Sequence, residues 1–141
     1  MADNDWVYTI ESKIYTIVKT RLENALKTDY PDLNVTQQMK LNDEAVFPTV
    51  YIQMLESPEI GSDLENSTIN AMLTTFEVHI SSNKSQGLNG LRKVQSAVTE
   101  NFKKLRFNMV SRGVFTRETN DVYTSISRFR RVIGGNEEIN F

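Results

Sequence analysis

Between Met72 and Ile80 the chain alternates residue by residue. Met72, Thr74, Phe76, Val78 and Ile80 fall on one side, and Leu73, Thr75, Glu77 and His79 on the other. A period of two over this length predicts a strand with one face turned to a core. Phe47 to Glu56 predicts a second strand, β-branched and aromatic, with Val50, Ile52 and Met54 on one face and Thr49, Tyr51, Gln53 and Leu55 on the other. Pro48 stands at its start, where a missing N–H donor is tolerated. Two such strands need a layer to cover their apolar face, and the rest of the chain supplies it.

That layer reads as two amphipathic helices. From about Asn4 to Lys27, Val7, Ile10, Ile14, Ile17, Val18, Leu22, Ala25 and Leu26 recur at helical spacing, with Asn4 or Asp5 as the expected cap. Tyr30-Pro31-Asp32 forbids continuation. From about Leu88 to Leu105, the residues Leu88, Leu91, Val94, Val98, Phe102 and Leu105 form a second stripe. Leu33 to Lys40 predicts an edge strand, and Val122 to Ile133 a closing strand. Phe107 to Phe115, with Gly113 as its turn, is ambiguous. Ser57 to Asn70 reads as a long acidic loop. The expected fold is α+β, a four- to five-stranded, mostly antiparallel sheet with both helices packed on one face. Residues 1–135 form one domain in this reading, and 136–141 a flexible tail.

Length and composition agree. The chain has 141 residues, 39% hydrophobic and 24% charged, as in an ordinary globular domain. The absence of cysteine excludes a disulfide framework and a thiolate zinc site, and the single histidine, His79, excludes a histidine metal cluster. No apolar run is long enough to predict a membrane helix. The N-terminus is acidic, unlike a secretory signal.

No motif predicts catalysis. There is no G-x-S-x-G elbow, and His79 has no nucleophile in a recognisable triad pattern. Gly61 precedes the acids of its loop and so does not fit a calcium loop. Gly87-Leu88-Asn89-Gly90 lacks the lysine and hydroxyl of a P-loop. No enzyme activity, metal or cofactor is expected. Arg128-Phe129-Arg130-Arg131 is the densest basic cluster, and arginines beside an aromatic can touch phosphate and base. The strand order and the negative net charge, −2, argue against a nucleic-acid module, which stays as the rival reading.

The order of elements carries a resemblance. A long N-terminal helix precedes a weak strand. Phe47-Pro48-Thr49-Val50-Tyr51-Ile52 follows, then an acidic loop, then Thr74-Thr75-Phe76-Glu77-Val78-His79-Ile80. A basic amphipathic helix comes next, and Val122-Tyr123-Thr124-Ser125-Ile126-Ser127-Arg128-Phe129-Arg130 closes the pattern. Over roughly residues 5–134 this is similar to the tail-terminator and tail-completion proteins of long-tailed bacteriophages, the minor tail protein U type. The acidic loop is longer here, and the chain ends in an extra acidic segment. The resemblance implies a homo-oligomer, a hexameric ring that caps the tail tube, ends its polymerisation and joins tail to head. Its partners would be tail-tube and head-connector proteins, with no membrane and no specific nucleic acid. Its place would be the tail or neck of the virion, after synthesis in the bacterial cytoplasm. A neck connector or tube protein of similar fold is the nearest alternative.

Charge and exposure then suggest where subunits meet. Residues 1–70 carry twelve acids and five bases, whereas residues 71–141 carry six acids and eleven bases. Tyr51 and Leu73 fall on the sheet face that the helices leave bare, which makes them candidate anchors. Arg128 and Arg130 share one side of their strand by the two-residue period, and Arg131 projects to the other. The expected contact sets Arg128 and Arg130 against Glu56, Glu59, Asp63 or Glu65 of a neighbouring subunit.

Overall fold

A computed structural model of the chain describes residues 4–37, 48–61, 67–83, 87–117 and 122–135. The order is α1 (Trp6–Leu26), β1 (Asn34–Thr36), β2 (Thr49–Met54), β3 (Glu59–Ile60), β4 (Ala71–Ser82), α2 (Gly87–Lys104), β5 (Asn108–Ser111), β6 (Thr116–Arg117) and β7 (Tyr123–Gly134). The strands form one mixed sheet whose main path is β1-β2-β4-β7-β5, while β3 pairs with the first two residues of β4, beyond the end of β2, and β6 pairs with β7. The class is α+β, as the periodicities predict.

The strand count and direction need correction. Seven strands are present among the described residues rather than four or five, because the two-residue strands β3 and β6 flank the five-strand path. The sheet is not antiparallel throughout, since β1 runs parallel to β2, with Val35 opposite Val50. A parallel neighbour needs a crossover of about a dozen residues or more, and residues 37–48 provide that span. Within the expected acidic loop, Glu59 and Ile60 pair with Met72 and Ala71. The predicted tail at 136–141 and Phe47 lie outside the described residues.

The core forms where the stripes meet. Ile10, Ile14, Val18, Leu22 and Leu26 of α1 are buried, as are Leu91, Val94, Val98 and Phe102 of α2. They pack on the alternating buried positions of β2, β4 and β7. Asn4 does not cap α1. Its side-chain amide donates to the Ser67 carbonyl (3.1 Å) and its side-chain oxygen accepts from the Ile69 N–H (2.9 Å), which ties the helix start to the strand β4 approach. Asp5, the other candidate, sits at the cap position without a side-chain capping bond.

Four phenylalanines cement the layers. Phe102 of α2 stacks on Phe129 of β7, ring centroids 4.6 Å apart and planes 3° from parallel. Phe76 of β4 and Phe107 sit edge-on or tilted around them at 5.3–5.8 Å. Phe107 reaches this cluster through the helix end. Arg106 adopts a left-handed φ of 68°, the Phe107 N–H donates to the Phe102 carbonyl, and the Arg106 N–H to the Lys103 carbonyl. This is the double-bonded helix stop that normally carries glycine. It reverses the chain sharply, drops Phe107 onto Phe102, and starts β5.

Candidate functional site on the bare face of the sheet

Both helices lie on one side, so the opposite side of the sheet has no covering element among the described residues. Alternation decides what it shows. In β7, Ser125, Ser127, Phe129 and Ile133 are buried, and Ile126, Arg128, Arg130 and Val132 are exposed. In β2 and β4 the outward residues are Tyr51, Gln53, Leu73, Thr75, Glu77 and His79. Register turns these lists into rows. Tyr51 lies across from His79, and His79 from Ile126; Gln53, Glu77 and Arg128 form the next row. Thr75 faces Arg130, and Leu73 faces Val132.

The middle of this face is a charge cluster. His79 Nε2 is 2.5 Å from Glu77 Oε1, and Arg128 Nε donates to Glu77 Oε2 at 2.7 Å. Glu77 is largely enclosed, while Arg128 is half exposed. The Tyr51 ring stands edge-on to the imidazole, centroids 5.4 Å apart. Burial alone would push the Glu77 carboxyl up, but the His79 and Arg128 bonds and charges outweigh it and hold the group below its ordinary 4.5. One carboxylate thus gathers an imidazole and a guanidinium. The arrangement fixes an aromatic ring and a guanidinium in place, which is what a recognition surface requires.

The lowered carboxyl makes a pH prediction. A depressed acid contributes stability that is present above its unfolded value and lost as pH falls through its folded value. Glu77→Gln should lower the unfolding free energy by about 1–2 kcal/mol at pH 7, since it takes the negative charge from the acceptor of two hydrogen bonds. The gap between parent and variant should close as the pH drops below 4.5. Urea midpoints at pH 7 and pH 3 measure it, and a gap unchanged by pH would refute the ionic role.

The expected contact residues are only partly assembled. Tyr51, Leu73, Arg128 and Arg130 do share the bare face. Glu56 and Glu59 are exposed, beyond the end of β2 and on β3. Asp63 and Glu65 lie outside the described residues. The two arginines differ. Arg128 takes its acid from its own chain, across the β4–β7 ladder, so it does not wait for a neighbour's loop. Arg130 is exposed with no ion pair among the described residues. Arg131 does point to the other side, where Nη1 donates to the Leu105 carbonyl at the end of α2. Burial first, and then the neighbouring Arg106 charge, lower its proton affinity.

Sequence reasoning missed Glu77 as the organising group. Its alternation with His79 was visible, but pairing with Arg128 depends on a register that joins residues 51 positions apart. Among the described residues, no helix is long and apolar enough to cross a membrane. No known family model matches this chain, and no curated protein matches it.

Proposed function

We propose that this chain is a structural virion protein whose subunits assemble into a ring, cap the tail tube of a long-tailed bacteriophage, end its polymerisation and join tail to head. The observation that carries the reading is the bare sheet face. Ile126 and Val132 are 45% and 49% exposed there, beside the half-buried Tyr51 and Leu73. Apolar groups set around a fixed charge cluster suit a permanent contact better than free solvent. The order of helices and strands along the chain, similar to that of tail terminators, supplies the specific role. The nucleic-acid rival loses support from Arg128, whose charge is already engaged by Glu77.

Sedimentation velocity and negative-stain images of the purified protein test the reading. Ring particles that grow in population with concentration are the expected result. A monomer at every concentration would overturn it. Tyr51→Asp should give a folded, soluble monomer, because it removes the half-exposed ring and sets a charge beside His79 on the contact face. If that variant assembles like the parent, the sheet face is not a subunit contact.

A further inference from the structure

A ring requires each subunit to offer two different surfaces that fit each other. The two edges of the sheet provide such a pair. Along the outer edge of β7, the chain leaves β5, makes a local turn at Gly113 that bulges it from the ladder, and continues in the same direction as β6. Gly113 has a φ of +83°, and a Cβ there would lie 2.0 Å from the Ile126 carbonyl oxygen. Only glycine lets the turn press so closely on β7. The turn is thereby held against the sheet edge, and the next residue, Val114, is thrown outward with 77% of its surface exposed. Arg112 beside it is exposed, and residues 108–117 contain two arginines and no acid. A fixed turn presenting an apolar tip with a cationic flank is unusual for a loop that meets only water.

The other edge carries the converse. A groove of about 430 Å³ opens between the start of α1 and the ends of β2 and β3. Met54, Ile69 and Met72 line it, Tyr8 forms one wall, and Glu11 and Glu59 supply negative charge, with no base in the lining among the described residues. Tyr8 is 84% exposed, so its ring covers nothing in the subunit itself. β4 and β7 stand between groove and turn, and the three strand spacings from β3 to β5 span about 14 Å. The two features cannot meet within one chain.

We infer that the turn at Val114 of one copy seats in the Tyr8–Met72 groove of the next, with Arg112 facing Glu11 and Glu59. The occupant is a second copy because both halves of the contact, matched in polarity and opposite in charge, belong to this chain and lie on opposite edges of one sheet. The contact is head to tail, as a ring needs, and it acts beside the subunit contact proposed for the bare sheet face. It rests on the assembling role proposed above.

The chain has no cysteine, so engineered thiols report only the contact they are placed in. Tyr8→Cys and Val114→Cys change two exposed side chains, and the two single variants can be mixed at equal concentration, oxidised mildly, and mapped by mass spectrometry. A disulfide requires Cα atoms within about 7 Å. The expected product joins residue 8 of one copy to residue 114 of another, at least tenfold over 8–8 and 114–114 links. Adding Arg112→Glu to the Val114→Cys partner should reduce that yield about tenfold. Adding Glu11→Arg and Glu59→Arg to the Tyr8→Cys partner should then restore it. Absence of the 8–114 link, or links no more frequent than like with like, overturns the contact. If the parent still forms rings in that case, the assembling role survives and only this contact is wrong. If the 8–114 link forms but images show open fibres and no rings, the contact stands and the tail-cap reading falls.

Discussion

Phe102→Ala is expected to lower the unfolding free energy by about 3–5 kcal/mol, the range for removing a buried aromatic side chain. Phe102 is fully buried and is the one ring in contact with each of Phe76, Phe107 and Phe129. The lost burial is only part of the effect. The hole would lie between α2 and the two central strands, where neither β4 nor β7 can shift without breaking a ladder of twelve paired residues. The helix stop also depends on it, since Phe107 folds back onto Phe102. A domain of this size has about 5–15 kcal/mol in total, so the variant should sit near its folding threshold. Urea denaturation measures the loss through the midpoint at constant slope. A loss below about 1 kcal/mol would mean that the four rings are not the keystone of the core.

Gln95→Leu should be nearly as damaging, for the opposite reason. Gln95 is a buried polar residue on the inner face of α2. Its side-chain amide donates to Ser127 Oγ at 3.1 Å, and its side-chain oxygen accepts from Ser125 Oγ at 2.8 Å. Ser125 and Ser127 are buried successive inward positions of β7. Leucine matches the glutamine in bulk and leaves both hydroxyls without this partner. Each stranded group costs about 1–3 kcal/mol, so a loss of about 2–6 kcal/mol is expected for the two. The triple variant Gln95→Leu, Ser125→Ala, Ser127→Ala should regain most of it, because removing both sides of a buried bond is far cheaper than removing one. Thermal and urea midpoints of the single and triple variants decide the matter. Equal loss in both would show that the serines find other partners.

These two sites mark what could and could not be read from residues in a line. Phe102 lies on a stripe of period 3.6, so its burial was visible. So were the inward faces of β2 and β4. Gln95 is not part of the apolar stripe, and a lone polar side chain discloses nothing of a partner 30 or 32 positions away. Short strands were illegible for a related reason. Glu59–Ile60 and Thr116–Arg117 are strands only because β4 and β7 overhang them, not through any propensity of two residues. The parallel entry of β1 was likewise hidden, since direction is set by the path of the crossover. The candidate site divides along the same line. Alternation alone placed Tyr51 and Leu73 on the bare face and Arg128 and Arg130 on one side of their own strand, and only the β4–β7 register shows that these sides coincide. The partner of Arg128 required the cross-strand register, and the turn at Gly113 required knowing how near β7 passes.

The pairing of β4 with β7 along its whole length also governs how the molecule comes together. Residues 71–82 meet residues 123–134 across an intervening helix, so the centre of the sheet cannot form as a local hairpin. Closing that distance costs chain entropy before any rung is gained. The helix α2 is the natural shortener, since winding residues 87–104 draws the two segments toward each other and offers both the same apolar stripe. On a ribosome, β7 emerges last. Until it does, β4 presents an open flank of backbone donors and acceptors, and the nascent chain has half a sheet with its most adhesive strand at the border. A protein synthesised beside many copies of itself would gain from rapid delivery of that final strand, which makes the C-terminal dozen residues of the sheet the step on which productive folding and mispairing between chains diverge.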